Sequence, residues 1–391
     1  DGPTLTVQRF TGRSGRSDLA LTGTVTNLYG GPAGSKPVIR CTLASEYLDL
    51  DELFPPVAPG AGKPEPYESF PDVVVSGDGA AKRVRLRRLD LTDVRLRLSI
   101  QDQVLRLTDV TAAAYGGRLT GTVVHDQKNL AQPVVQVNAR LDSVQVSELL
   151  SAFIPIKGRV LGRLSTTLAA GGPVSLDGMP VKTAFSALGT LTLADGQVVN
   201  WPPLQRLAAW IKIPTFERLD FRSLVGTLRV EGGRIITDDL LMVGPKADWL
   251  VRGAAGLDGS LDYRIKTTLS EGLSAQYGSG LAGRALSLFR DERGRVGLAF
   301  TVGGTLDSPR FGWDTSPVRD QVARAQEQGK QMLAEKQQQV EDLLRQRQAA
   351  AQLQADSLRQ RAAGLVRQQA DTLREDVKKK AKGLLRGLLR P

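Results

Sequence analysis

The segment Val94-Arg-Leu-Arg-Leu-Ser-Ile100 alternates apolar and polar side chains over most of its length. In an extended strand Val94, Leu96 and Leu98 face one side, and Arg95 and Arg97 face the other. Alternation of this kind is typical of a β-strand with one buried face. The segment therefore predicts a sheet with one apolar and one polar face.

The same alternation recurs from Asp72 to about Trp313 and predicts about a dozen strands. Glycine-rich turns separate them, and four such turns fit tight antiparallel hairpins: Tyr115–Arg118, Ala194–Gln197, Glu231–Arg234 and Leu257–Ser260. The predicted fold class is mainly β, as a long, curved antiparallel sheet.

Helical segments are few and short. We predict them at Leu48–Phe54, Val146–Phe153, Leu204–Ile211 and Gly283–Phe289. They are too short to cover the apolar side of so many strands. Such a sheet closes into a barrel, packs as a sandwich, or leaves an open apolar groove for a ligand.

The chain divides into four predicted regions. Residues 1–54 form the end of an upstream β-sheet region, and residues 55–71 form a linker, because six prolines fall within 17 positions. Residues 72–315 form the main β domain and residues 316–391 an amphipathic, basic helical tail. Because the chain opens inside the strand-like segment Leu5–Phe10, we expect a further segment before residue 1.

Most of the positive charge lies in the tail. The formal net charge is +11, and the segment from Pro317 onward holds 16 Lys and Arg against 9 Asp and Glu. A basic helix with leucines suits an anionic bilayer surface, whereas the glutamine-rich part of the tail is equally typical of a coiled coil. The predicted membrane-contact residues are Lys378, Lys379, Lys380, Lys382, Leu384, Leu385, Leu388 and Leu389.

The sequence offers little catalytic chemistry. Cys41 is the single cysteine and His125 the single histidine, and we place His125 in a polar turn. No nucleophile elbow or phosphate-binding glycine motif is present, and the pair Asp238-Asp239 points to opposite faces of a strand. We expect no enzymatic activity, no metal and no cofactor.

Nucleic acid is also not expected as a partner, because aromatic residues make up only 5% of the chain. The basic segment Lys82–Arg88 has no aromatic neighbours that could stack on bases. We interpret it as an outward face, or as an edge strand protected by charge.

Several local motifs resemble the C-terminal region of AsmA-like envelope proteins, the family that includes the TamB type. The stretch Leu105–Val123 is similar to the family's strand, Gly-Gly hairpin and returning strand, and Leu141–Leu150 to its short helix after a strand. Gly189–Gly196, Gly256–Tyr263 and Val302–Phe311 resemble its characteristic strands and closing motif. Together these motifs lie between Asp72 and Phe311.

The resemblance implies a periplasmic protein, anchored in the inner membrane by a segment before residue 1. Its curved sheet would form a groove that carries phospholipid between the inner and outer membranes and so supports outer-membrane integrity. The lining is then expected from Val94, Leu96, Leu98, Val135, Val137, Leu191, Leu228, Val251, Tyr263, Leu298 and Phe300. The alternative is a structural or assembly scaffold for outer-membrane proteins, which binds through a sheet edge or the tail and carries no lipid.

Overall fold

The computed structural model describes residues 4–28, 36–53, 69–86, 89–151, 158–175, 180–282, 289–290 and 293–314, together with Glu335, Gln338 and Asp342. The chain divides into two compact units, Asp1–Gln337 and Gln338–Pro391. The first unit holds the sheet. Of the second, only Gln338 and Asp342 are described, and both are helical and exposed. The predicted tail, including its eight membrane-contact residues, therefore lies almost wholly outside the described residues.

The described residues form one long, open, mixed sheet. Its strands are β1 (Leu5–Ser14), β2 (Ser17–Thr26), β3 (Val38–Asp49), β4 (Val74–Leu86), β5 (Leu89–Gln101), β6 (Val104–Ala114), β7 (Gly117–Asp126), β8 (Val134–Gln145), β9 (Val160–Pro173), β10 (Ser186–Val198), β11 (Leu219–Glu231), β12 (Arg234–Val243), β13 (Ala247–Gly256), β14 (Ser260–Leu269), β15 (Phe289–Arg290), β16 (Val296–Thr305) and β17 (Pro309–Trp313).

Each strand pairs with its neighbour in sequence, except that β14 pairs with β16, and the two-residue β15 adds to the start of β16. The mainly β prediction is confirmed, but the prediction of a wholly antiparallel sheet is wrong at one place. Strand β3 pairs with β4 in parallel, with Ile39 opposite Val75 and Leu43 opposite Gly79. A parallel pair needs a crossover connection, and the chain between Asp49 and Val74 joins these two strands. The first three strands therefore continue the same sheet, and β4, with its basic segment, is an interior strand.

Within the described residues of the first unit there are four short α-helices: α1 (Leu50–Leu53), α2 (Val146–Ser151), α3 (Pro202–Ile211) and α4 (Glu271–Ala282). The first three agree with the predicted segments. The fourth precedes the predicted Gly283–Phe289, of which residues 283–288 lie outside the described part and Phe289 begins β15. Helix α4 begins after Ser270, whose hydroxyl accepts a hydrogen bond from the Leu273 N–H.

Three of the predicted hairpin turns are present. At the β6–β7 turn Tyr115 and Gly116 both have positive φ, as a tight hairpin of this kind requires. The fourth, Ala194–Gln197, is instead a bulge inside β10, where Asp195 has φ 47° and the pairing with β9 shifts. An Asp-Gly pair suits both structures because both need a left-handed residue.

The main hydrophobic core surrounds α3. Pro202 and Pro203 start this helix, and its apolar stripe of Leu204, Leu207, Ala208 and Ile211 is buried. Burial of each of the larger side chains contributes about 1.5–3 kcal/mol. The core continues through the 3₁₀ turn Pro214–Glu217 to strands β8 to β14, β16 and β17.

A smaller core holds α1 against β4, β5 and β6, with Val84, Val94 and Ala112 buried. The buried Asp49 caps α1, since its carboxylate accepts hydrogen bonds from the N–H groups of Asp51 and Glu52. Arg16 pairs with the same carboxylate at 2.6 Å and ties the β1–β2 turn to the helix.

Candidate functional site

One face of the sheet carries a row of apolar side chains that runs from β5 to β11. In the pairing register, Leu98 lies opposite Leu107, Leu107 opposite Val123, and Val123 opposite Val137. The row continues through Ala170 and Ala187 to Val230. Residues directly opposite each other in neighbouring strands point to the same side, so these side chains share one surface. We call it the apolar face.

All of the predicted lining residues lie on the apolar face. Each of them either pairs directly with a residue of this face on the neighbouring strand or lies an even number of residues along its own strand from one that does. The set is Val94, Leu96, Leu98, Val135, Val137, Leu191, Leu228, Val251, Tyr263, Leu298 and Phe300. The alternation in the sequence therefore assigned the side of the sheet correctly.

The apolar face divides into a packed part and a part that neither hydrophobic core includes. Some half-buried apolar residues of this face, on strands β5 to β8, belong to neither core. We call them the open section: Leu98, Ile100, Leu105, Leu107, Val123, Val135 and Val137. Among the described helices, α1 packs on β4 and α2 on β8 and β9, next to this section.

Three predicted lining residues are instead core residues. Leu298 and Phe300 are fully buried at 0% exposure, in the core around α3, and Val94 is buried in the smaller core at 7%. Leu191 and Tyr263 pack against the core around α3. Alternation shows which way a side chain faces but not which element lies over it, so the sequence did not distinguish these residues from the open ones.

His125 lies at the rim of the open section and not in a polar turn. It belongs to β7 and is paired between Leu105 and Val135, in a half-buried position. Gln127, itself buried, lies with its side-chain nitrogen 2.9 Å from His125 Nε2, and the Phe70 ring meets the imidazole edge-on. Burial lowers the pKa of His125, although Asp126 opposes this shift.

The opposite face is polar on strands β1 to β5 and carries a cleft of about 790 Å³. Its floor follows the register row of Thr11, Ala20, Ala44 and Ala80, and Arg9, Arg13 and Arg95 stand around it. Asp18 on its wall accepts hydrogen bonds from the backbone N–H groups of Tyr47 and Glu46, which lower the pKa of this carboxyl group. The sequence pattern did not indicate this cleft, because small residues on the polar face leave the alternation unchanged.

Two kinds of feature are absent from the described residues. No group of three or more His, Cys, Asp or Glu side chains in this part of the chain is placed to hold a metal ion. Within the same residues, no helix is both long and apolar enough to cross a membrane.

The fold and the site define an open β-sheet protein with one apolar face, part of which neither core includes. Comparisons with protein-family models, curated proteins and solved structures found no match to this chain.

Proposed function

We propose that this chain is a non-enzymatic, periplasmic lipid-binding protein that conducts phospholipid between the inner and outer membranes of a bacterial envelope. The acyl chains would lie on the apolar face while the polar face meets water. On the same proposal, the protein is anchored in the inner membrane and supports outer-membrane integrity, as the resemblance to AsmA-like proteins implies.

The open section is the observation that carries this proposal. Its leucines and valines from four adjacent strands form a surface that neither core covers. Transfer of apolar area from water is favourable by about 25 cal/mol per Å², and an acyl chain can supply that cover without a specific polar contact. A surface of this kind suits a ligand that moves along the sheet.

Curvature of the sheet supports a groove more than a flat platform. Helix α3 follows β10, yet its Trp210 contacts Phe311 and Trp313 of β17. In a flat sheet those strands would be about 29 Å apart, at about 4.8 Å per strand, whereas ten helical residues span about 15 Å. Glycines whose added Cβ would collide with the neighbouring backbone, including Gly23, Gly121 and Gly253, give the strands room to bend.

A matched pair of valines tests the proposal. Val123 lies on the apolar face, and the adjacent Val124 lies opposite Arg106 and Gln136 on the other face. The unchanged protein and the variants Val123→Glu and Val124→Glu would be expressed in a two-membrane bacterium, each with and without residues 377–391. Phospholipid in organic extracts of each purified protein would be measured by mass spectrometry.

We expect phospholipid with the unchanged protein and with Val124→Glu, and little with Val123→Glu, because a carboxylate on the apolar face would lose its hydration. Circular dichroism would check that both variants fold. If lipid depends on residues 377–391 alone, the site belongs to the tail and the proposal for the sheet fails.

A scaffold that assembles outer-membrane proteins is the second candidate, and the edge of β1 favours it. In the described residues β1 pairs on one side only, with β2, and its Leu5 and Phe10 are 48% and 56% exposed. An unpaired edge can accept a strand from a partner. A stoichiometric protein partner, together with extracts free of phospholipid, would favour this candidate.

A further inference from the structure

Outside the core around α3, Leu228 and Val251 of the apolar face are only half-buried. Under that core, the apolar face is closed on β13, β14 and β16. Leu269, Val296, Leu298 and Phe300 are all buried at 0% exposure. On the opposite face of the same strands Leu250, Thr268 and Ala299 are buried as well, so this end of the sheet is packed on both sides. An acyl chain could reach the apolar face here only by displacing part of the core.

Helix α3 and the turn after it form the closure. Trp210 packs against Phe300 and Trp313 with ring centroids 6.2 and 4.6 Å away, and Phe216 meets Trp249 at 4.8 Å. The Arg206 guanidinium donates a 2.5 Å hydrogen bond to the Asp307 carbonyl in the β16–β17 turn. These contacts hold the closure at both the strands and the hairpin tip.

The open section is large enough for a lipid without that end of the sheet. Along β5 its two residues, Leu98 and Ile100, are about 7 Å apart at about 3.3 Å per residue, so an acyl chain would lie across the strands. The acyl chains of one bilayer leaflet extend about 15 Å, half of a hydrocarbon core of about 30 Å. Strands β5 to β8 together are about 14 Å wide between the outer two.

We infer that phospholipid acyl chains occupy the open section of the apolar face, and that α3 with the turn Pro214–Glu217 excludes them from the part of this face packed under it, which includes Trp249, Leu298 and Phe300. This inference rests on the proposed lipid-binding function. It makes α3 a boundary of the lipid-bearing surface.

The four tryptophans allow a direct test. They are Trp201, Trp210, Trp249 and Trp313, and all belong to the core around α3 or pack against it. Delipidated protein would be incubated with vesicles of phosphatidylethanolamine and phosphatidylglycerol whose acyl chains are brominated, then separated from the vesicles and assayed for bound phosphorus. Bromine quenches tryptophan emission at short range, so quenching reports contact with the chains.

Two further variants place a tryptophan on either face of β5. Leu98→Trp adds one to the open section, and Ser99→Trp adds one to the polar face, opposite Ser76 and Arg106. Leu107→Trp and Thr108→Trp provide a second pair on β6, in case the first does not fold.

We expect bound brominated lipid to quench the added emission of Leu98→Trp but neither that of Ser99→Trp nor the emission of the four native tryptophans. Quenching of the native tryptophans would overturn the closure while leaving lipid binding in place. Bound lipid that quenches both added tryptophans equally, or neither, would also overturn the inference. Absence of bound phosphorus from every protein would overturn the proposed function itself.

Discussion

Trp210 of α3 stacks on Trp313 of β17 with a centroid distance of 4.6 Å and a tilt of 33°. The contact joins the helix that follows β10 to the final described strand of the sheet. It therefore holds the core around α3 together across strands that are distant in the sheet order.

Replacement of Trp210 should destabilise this end of the sheet. We expect Trp210→Ala to lower the free energy of unfolding by about 2–3 kcal/mol, somewhat less than a fully buried aromatic, because the side chain is only half-buried. Urea unfolding followed by circular dichroism would measure the change. Gln205→Ala, at an exposed position of the same helix, is the control and should differ from the unchanged protein by less than about 0.5 kcal/mol. Equal stability of the two variants would argue against the role of α3.

Truncation of one lining side chain should have little effect on lipid binding. We expect Leu98→Ala to keep most of the phospholipid, because contact with an acyl chain is spread over many side chains and no single polar contact anchors it. The ratio of lipid phosphorus to protein after purification is the measurement. Loss of nearly all lipid in Leu98→Ala, with the fold intact, would indicate a specific pocket and not a sliding surface.

Gly253 should be difficult to replace. Its φ is 142°, and an added Cβ would collide with the Asp262 carbonyl oxygen of β14. We expect Gly253→Ala to destabilise the protein by more than about 1 kcal/mol. Gly272 in α4 is the control, since an added Cβ there meets nothing, and Gly272→Ala should stabilise by about 0.5–1 kcal/mol. Thermal unfolding of the two variants would show shifts of opposite sign.

Stability should depend on pH through His125, and because this is the single histidine, one substitution isolates its contribution. Because burial lowers the pKa of His125 below its ordinary 6.5, the unfolded chain binds a proton that the folded chain does not. The free energy of unfolding should therefore fall as the pH decreases through about 6.5, down to the folded-state pKa.

His125→Leu removes this group, so its free energy of unfolding should change less between pH 8 and pH 5.5. The imidazole resonance of the unchanged protein in a proton NMR titration should have its midpoint below 6.5. A midpoint above that value would contradict the buried placement of His125 between Leu105 and Val135.

Alternation predicted the strands and their apolar face because side-chain direction follows directly from the two-residue period. It did not predict the parallel pairing of β3 with β4, since the period is the same in both orientations. It also did not predict that Ala194–Gln197 is a bulge, because Asp-Gly satisfies a turn and a bulge alike.

The candidate site was only partly predictable for a similar reason. Leu98 and Leu298 each have an apolar residue two positions away on both sides, yet one lies in the open section and the other under the core around α3. Which of them is covered depends on where α3 packs, and that is decided by contacts such as Trp210 with Phe300, between residues 90 positions apart. His125 was misplaced because its polar neighbours outnumber the two apolar partners that the pairing brings to it.

Site-specific photocrosslinking from β6 tests the lipid-bearing face most directly. A photoreactive amino acid would replace Leu107 on the apolar face or Thr108 on the polar face, in cells of a two-membrane bacterium, and the adducts would be identified by mass spectrometry. We expect phospholipid adducts from position 107 and none, or very few, from position 108. Equal adducts from both positions, or none from position 107 in a folded protein, would contradict the proposal that this face of the sheet carries lipid.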